Sequence, residues 1–235
     1  MLNRILVVAA HPDDEVLGCG ATIAKHVHTG DEVFVLIMGE GLTSRIIKAK
    51  ISGSEQKLFK KRKALIQSAR NANKLLGVSA VEFGMFPDNR LDSLDRLELI
   101  KFVEEVINKY SPDIVYTHYW NDVNVDHRIT SDIVVTACRP QPSCLVRRIL
   151  FFETISSTEW QCAAHFNFYP NWFIDVSDTL HYKIQAFRFY TSEAREWPHV
   201  RNIDTLEYLA RWRGSMVGMY AAEAFMLGRE IQTLR

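Results

Sequence analysis

Short, continuous runs of apolar residues alternate along the chain with longer segments whose apolar positions recur at helical spacing. The first run, residues 5–9 (ILVVA), is rich in β-branched side chains, which is typical of a strand buried on both faces of a parallel sheet. Comparable runs predict further strands over residues 33–38, 81–83, 114–117, 148–152 and 172–176. Helical spacing predicts helices over residues 16–30, 57–76, 97–110, 127–137, 179–190 and 206–227.

Because strand and helix alternate, the sequence predicts the α/β class, with a Rossmann-like, mainly parallel sheet and helices on both faces. A polar loop is predicted over residues 39–54. No repeat or linker interrupts the chain, which predicts one domain over residues 1–235, with a core of about residues 1–155 and a helical, aromatic part of about residues 156–235. Ligands of such sheets bind beyond the carboxyl ends of the strands.

Composition argues against several kinds of partner. Lys and Arg number 28 and so do Asp and Glu, so the formal net charge is zero and no nucleic-acid partner is expected. The basic run at residues 57–63 has apolar residues interleaved and is interpreted as the solvated face of a helix. Four cysteines without a C-x-x-C pair indicate reduced thiols and a cytoplasmic location. No segment approaches the roughly 20 apolar residues of a membrane span, and a homo-oligomer is left open.

Two polar clusters follow the first and fourth predicted strands, at the edge where ligands are expected. The first consists of His11, Asp13, Asp14 and Glu15, and the second of His118, Asp122, Asn124, Asp126 and His127. Acidic residues in the first cluster also suit the first turn of a helix. Imidazole and carboxylate groups are ligands of zinc, whose catalytic sites commonly have three protein ligands. The pattern therefore predicts a metal site in which His11 and Asp14 bind one ion and His127 or His118 completes the set.

The two clusters resemble those of a known family. AHPDDE after an N-terminal strand, followed by D-x-N-x-D-H-R, is similar to the PIG-L family, also called LmbE-like, of zinc-dependent N-deacetylases. FPDNRLD, PDIVYTH, FETISSTEW and RGSMVGMYAAEAF extend the resemblance over nearly the whole chain. It implies removal of acetyl groups from a small N-acetylated substrate: an amino sugar, a sugar nucleotide or a related glycoconjugate.

The resemblance implies roles for individual residues. His11, Asp14 and His127 match the zinc ligands, and Asp13 matches the general base that deprotonates water, which a carboxylate beside the ion can do. Asn124 stands where many members have a histidine; its amide can donate to an oxyanion but carries no charge. His118 is expected to supply part of the missing role, or to be a strand-end histidine bound by the backbone.

Further residues are expected around this centre. Glu15, Asp122 and Asp126 are expected to support the ligands by hydrogen bonds, with Asp126 alternatively the N-cap of the following helix. The predicted substrate-binding residues are Asp88, Arg90, Trp160, Arg195 and His199. Ferrous iron is an alternative to zinc, because two imidazoles and a carboxylate suit either metal. A metal-dependent amidase with another substrate, or a metal- or sugar-binding protein without turnover, are the alternative functions.

Overall fold

The computed structural model describes residues 2–42, 54–142, 144–162 and 167–232, without the side chains of residues 54, 55 and 57. Most of the predicted loop over residues 39–54 therefore lies outside the described residues. Seven strands run through the described parts of the chain: β1 (Arg4–Ala9), β2 (Glu32–Gly39), β3 (Ala80–Phe86), β4 (Ile114–His118), β5 (Arg148–Phe152), β6 (Trp172–Asp175) and β7 (Ala222–Glu230).

The described residues form six α-helices: α1 (Asp14–His28), α2 (Ser54–Leu76), α3 (Arg96–Tyr110), α4 (Val125–Ala137), α5 (Leu180–Phe187) and α6 (Ile203–Ser215). Three of them begin after a polar residue whose side chain accepts from a free backbone N–H: Asp95 before α3, Asn124 before α4 and Asn202 before α6. Within the described residues, no helix combines the length and the apolar character that crossing a membrane requires.

The strands form one sheet in the order β3-β2-β1-β4-β5-β7-β6. The first five strands of this order are parallel, whereas β7 is antiparallel to both of its neighbours. The α/β class and the mainly parallel sheet that the sequence predicts are confirmed. Because β1 lies between β2 and β4, the chain changes direction across the sheet between β1 and β4, which makes a crevice at their carboxyl ends.

Apolar side chains of the parallel strands alternate between two cores. On one face, Ile5 and Val7 of β1 pack in the core that includes Ile23 of α1. On the other face, Leu6 and Val8 pack in the core that includes α3 and α4. Helices thus cover both faces, and α1 and α4, which follow the neighbouring strands β1 and β4, lie on opposite sides of the sheet.

The helix predicted over residues 206–227 is wrong in its second half. The helix α6 ends at Ser215, and residues 222–230 form β7, which pairs with β5 and β6. The alanine-rich stretch Ala221–Ala224 favours a helix locally, but pairing with two strands determines its conformation. Glu223, which lies within the predicted helix, is only 4% exposed and forms a buried ion pair with Lys183.

Candidate active site

A small polar pocket of about 100 Å³ opens at the crevice between the carboxyl ends of β1 and β4. His11 and Asp13 line it from the turn after β1, and Asn124 and His127 line it from the start of α4. The two sequence clusters therefore face one another, as the topology of a parallel sheet requires. A larger and more apolar groove of about 270 Å³ lies beside the pocket and shares Leu65 with it.

The three predicted metal ligands lie together. Asp14 Oδ2 is 3.2 Å from His11 Nδ1 and 3.2 Å from His127 Nε2. One ligand atom from each of the three residues lies within 4.8 Å of the others, and all three side chains are buried. The distances between these atoms, and the set of two imidazoles and one carboxylate, fit the binding of one metal ion.

An unsatisfied oxygen indicates that the three residues fit a metal ion. Asp14 Oδ2 accepts from the backbone N–H of His11 at 2.9 Å, but the buried Oδ1 has no hydrogen-bond partner among the described residues. A buried carboxylate oxygen without a partner is costly unless a cation binds it. Two imidazoles and one carboxylate suit zinc and ferrous iron alike.

In each of the two candidate ligand histidines, the ring nitrogen that does not face Asp14 contacts other carboxylates. His11 Nε2 lies 3.1 Å from Asp88 Oδ1 and 3.2 Å from Asp126 Oδ2, and His127 Nδ1 lies 3.3 Å from Asp122 Oδ1. Such contacts fix the orientation of an imidazole and increase its basicity as a ligand. Asp88, predicted from the sequence to bind substrate, thus contacts a ligand histidine as well as lining the pocket.

Asp122 is itself anchored by hydroxyl groups from the segment after β5. It accepts hydrogen bonds from Ser157 Oγ and, at 2.6 Å, from Thr158 Oγ1, and it also accepts from the backbone N–H of Asn124. Although burial raises the pKa of Asp122, the contact with His127 and these hydroxyls lower it to about 2. Asp122 is therefore an ionised partner for His127.

Asp13 occupies a strained position at the pocket wall. Its φ of 109° lies in the left-handed region that non-glycine residues rarely adopt, and its side chain is 3% exposed. Burial raises the pKa of Asp13 well above its usual range, while the guanidinium of Arg201, 2.9 Å from Oδ2, lowers it. Asp13 is beside the three ligands without belonging to the group that could hold the ion.

Glu15 supports the main chain of Asp13 rather than a ligand side chain. Its Oε2 accepts from the backbone N–H of Asp13 at 3.1 Å, and its Oε1 accepts from Asn73 Nδ2 and Tyr190 Oη. Burial raises the pKa of Glu15 to about 7, although the hydrogen bond from Tyr190 lowers it. Glu15 thus connects the strained turn to α2 and to the residues after α5.

His118 is fully buried and is not among the described residues that line the pocket. Its Nε2 accepts from the backbone N–H of Ala10 at 2.9 Å, and its Nδ1 lies 3.2 Å from Thr154 Oγ1. Burial and the charge of His127 keep the pKa of His118 well below its usual value, so its imidazole is neutral. This placement corresponds to the strand-end histidine bound by the backbone, one of the two interpretations of the sequence.

Asn124, not Asp126, is the N-cap of α4. Its Oδ1 accepts from the backbone N–H of Asp126 at 2.8 Å, because the helix begins at Val125, two residues before the predicted start. The alternative interpretation of Asp126 as the cap is therefore wrong. The cap uses the oxygen of the Asn124 side chain, and Asn124 also lines the pocket.

The other four predicted substrate-binding residues are not among the described residues that line the pocket: Arg90, Trp160, Arg195 and His199. Trp160 is 51% exposed, and its ring is nearly perpendicular to that of His199, with the ring centroids 6.5 Å apart. The guanidinium of Arg195 donates to the main-chain oxygens of Ser192 and Ala194. Their role in binding substrate stays a prediction.

Sequence reasoning missed two residues that line the pocket, Glu193 and Arg201, and the buried Tyr190 behind it. Glu193 contacts Arg201, while Arg201 contacts Asp13 and Tyr190 contacts Glu15. These contacts join positions more than 170 residues apart to the first cluster, so no spacing along the sequence could indicate them.

The fold and the site together define a class of protein. The family model for PIG-L, described as GlcNAc-PI de-N-acetylase, matches residues 6–138, which include both clusters. The chain belongs to this family, as the resemblance in the sequence implies.

Particular relatives extend the likeness beyond the matched range. Diacetylchitobiose deacetylase of Thermococcus kodakarensis is 26% identical over 232 residues, covering 94% of this chain and 82% of that protein. The structure of N,N'-diacetylchitobiose deacetylase from Pyrococcus horikoshii superposes with a TM-score of 0.74 at 22% identity, covering 97% of this chain and 84% of that chain. GalB, the 4-carboxy-2-hydroxymuconate hydratase of Pseudomonas putida KT2440, superposes with a TM-score of 0.76 at 20% identity, covering 100% and 99%.

The two solved structures are a deacetylase and a hydratase, so the shared fold does not select one reaction. The family and its named relatives do narrow the class of reaction, because the curated relatives include deacetylases, which are hydrolases of N-acetyl amide bonds. The predicted enzyme class is therefore confirmed at this level.

Proposed function

We propose that the protein is a zinc-dependent N-deacetylase that removes the acetyl group of an N-acetylated amino sugar, a sugar nucleotide or a related glycoconjugate. The proposal rests on one observation: the site contains a carboxylate in addition to the three residues that could bind a metal ion. His11, Asp14 and His127 present metal-binding atoms, while Asp13 lies beside them and is free of that set. A protein that only binds metal needs the three ligands but no additional carboxylate.

Each residue of the site would have its own role in the reaction. When bound, zinc would polarise the acetamido carbonyl and lower the pKa of a water molecule to about 7. Asp13 accepts the proton that the attacking water loses and returns it to the nitrogen of the departing amine. The side-chain amide of Asn124 donates to the carbonyl oxygen as negative charge develops there, and Asp88 accepts from hydroxyl groups of the substrate.

Acetate release by the zinc-loaded protein tests the proposal. The substrates are N-acetylglucosamine, its nucleoside-diphosphate conjugate, N,N'-diacetylchitobiose and several N-acetylated glycoconjugates. Asp13→Asn should lower kcat by about 10²–10⁴-fold while zinc remains bound stoichiometrically, because the variant loses the base and keeps the ligands. Asp132→Asn, at an exposed aspartate of α4, is the matched control and should retain full activity.

Stoichiometric zinc without acetate release from any of these substrates would contradict the proposal and favour a binding protein. Release of a different acyl group from other amides, with the same loss in Asp13→Asn, would favour the alternative amidase. Replacing zinc by ferrous iron under anaerobic conditions, with both metals measured in the purified protein, decides which ion supports turnover.

A further inference from the structure

One arginine from the loop between α5 and α6 connects three parts of the candidate active site. Arg201 Nη1 lies 2.9 Å from Asp13 Oδ2 and 3.0 Å from Glu193 Oε2, and Arg201 Nε donates to Ser156 Oγ at 2.6 Å. The side chain of Arg201 is 20% exposed, and those of Asp13 and Glu193 are 3% exposed. The guanidinium therefore ties the turn after β1 to the segment after β5.

We infer that Arg201 is a positioning residue for Asp13: it holds the carboxylate through Oδ2 and leaves Oδ1 as the oxygen that exchanges protons with water and amine. This inference rests on the proposed function, in which Asp13 is the general base. It gives Arg201 a role different from that of Arg195 and His199 of the same loop, which the sequence predicts to bind substrate.

The strained turn at Asp13 does not by itself orient the Asp13 carboxylate, so another residue must do so. Glu15 fixes the main chain of Asp13, but it makes no contact that orients the Asp13 carboxylate. A general base must lie within about 2.6–3.2 Å of the proton it takes, and a misplacement of about 1 Å can cost about 100-fold in rate. The contact with Arg201 fixes the side chain where the backbone contact with Glu15 cannot.

Hydrogen bonds within the loop that carries Arg201 fix the conformation in which the guanidinium points towards Asp13. The backbone N–H of Arg201 donates to His199 Nδ1 at 3.0 Å, and its carbonyl accepts from the backbone N–H of Arg195 at 3.2 Å. Glu193 accepts from the same Nη1 as Asp13 does, and it also accepts from Ser192 Oγ. Because two carboxylates bind Nη1 and the hydroxyl of Ser156 binds Nε, Arg201 directs these donors to groups of the protein rather than to a substrate anion.

A double-mutant cycle on acetate release tests the inference with four proteins: wild type, Arg201→Met, Asp13→Asn and the double variant. Arg201→Met should lower kcat by about 100-fold and change KM by less than about threefold, because the base is misplaced while the pocket is kept. In the Asp13→Asn background the same change should lower kcat by less than about threefold, since no base remains to be positioned.

Two further measurements separate positioning from a structural role. Added guanidinium ion should partly restore kcat in Arg201→Met and should not do so in the double variant. Arg201→Lys should fall between wild type and Arg201→Met, because one ammonium group cannot reproduce the fork that reaches Asp13, Glu193 and Ser156 together. Arg211→Met, at an exposed arginine of α6 that pairs with Glu207, is the control and should leave kcat unchanged.

An equal loss of kcat with and without Asp13, or an effect confined to KM, would overturn the inference. If the wild type released no acetate, the proposed function would fail instead, and thermal unfolding of the same four proteins would still test the contact. Non-additive changes in Tm would support a direct Arg201–Asp13 interaction, and additive changes would overturn it.

Discussion

His127 lies between two carboxylates, with Asp14 3.2 Å from Nε2 and Asp122 3.3 Å from Nδ1. Burial alone would lower the pKa of His127, but the charges of Asp14 and Asp122 raise it to about 9. Since the raised pKa lies above neutrality, the metal-free protein carries a protonated His127 at pH 7. A metal ion binds the neutral imidazole, so the ion and the proton compete for this residue.

Zinc binding at pH 7 should therefore release a proton from His127, and the apparent affinity should rise with pH until about pH 9. Isothermal titration calorimetry in two buffers of different ionisation enthalpy measures the number of protons released. Burial lowers the pKa of His11, but its contacts with Asp126, Asp14 and Asp88 raise it well above its usual value, so the released protons include one from His11. Equal binding enthalpies in the two buffers would show that both histidines are already neutral before the metal binds.

Asp122→Asn should lower the affinity for zinc by about 10–100-fold, because the carboxylate that orients His127 is lost while the ligands remain. Competition with a chromogenic chelator measures this affinity. Asp132→Asn, which changes an exposed aspartate of the same region, serves as the control. An unchanged affinity in Asp122→Asn would mean that Ser157 and the packing of the ring are sufficient to orient His127.

At the scale of residues, the sequence could predict that His11, Asp14 and His127 lie together with Asp13 beside them, because each cluster is short and directly follows a strand. Asp122 and Asp126 were predicted beside the ligands for the same reason. Arg201, Glu193 and Tyr190 come from a later segment and reach the first cluster only through the tertiary fold. Local propensity and spacing contain no information about such contacts.

At the scale of elements, α1 is broken at Cys19, whose φ of −149° and ψ of 27° are not helical. A buried ion pair replaces the hydrogen bonds lost at this break. Glu223 accepts from the backbone N–H groups of Ala21 and Thr22, and Lys183 donates to the carbonyl of Leu17 and to Glu223. Elements α5 and β7 thereby fix the first turn of α1, which carries Asp14.

Glu223→Gln should lower the free energy of unfolding by about 3–5 kcal/mol, because Lys183 would stay buried without its ionic partner. Adding Lys183→Met should recover much of this loss, since the glutamine can still accept from the backbone at the break. Urea-induced unfolding measures both variants. Glu207→Gln, at an exposed ion pair, should change the stability by about 1 kcal/mol or less, and an equally small effect of Glu223→Gln would contradict the prediction.

The sequence predicted β1, β2, β4 and β5 well because each is a compact apolar run that parallel sheets bury on both faces. For β3, a half-buried edge strand that contains Glu82, it predicted only residues 81–83 of Ala80–Phe86. It missed β7 because this strand combines alanines, charges and a glycine, and no single period describes them. Close approach of the backbone is equally hidden from the sequence: a Cβ at Gly18 of α1 would lie 2.3 Å from Phe152 Cδ2. Pairing and close approach of this kind depend on partners that are distant in sequence.

At the scale of the whole molecule, the site joins two halves of the sheet. His11 follows β1 and Asp14 begins α1 on one face, whereas His127 belongs to α4 on the other face. A bound ion would therefore link segments more than 100 residues apart, and the folded state would gain the free energy of binding.

Zinc at 100 times its dissociation constant should stabilise the wild type by about 2.7 kcal/mol against unfolding. The same gain is expected in Asp13→Asn, which keeps all three ligands, but not in His127→Ala. Urea unfolding with zinc or with a chelator measures the difference. A gain that disappears in Asp13→Asn would make Asp13 a ligand instead of the base.

The position of β6 at the edge of the sheet has a consequence for biosynthesis. Among the described residues, its hydrogen-bonded neighbour in the sheet is β7, which leaves the ribosome about 50 residues after it. Between the two lies the loop that delivers Arg201 to Asp13. A nascent chain would therefore expose the edge of β6, together with the loop that carries Arg201, until residues 222–230 have been translated. Because β7 also binds α1 through Glu223, the helix that carries Asp14 and the loop that carries Arg201 would be fixed in the same step.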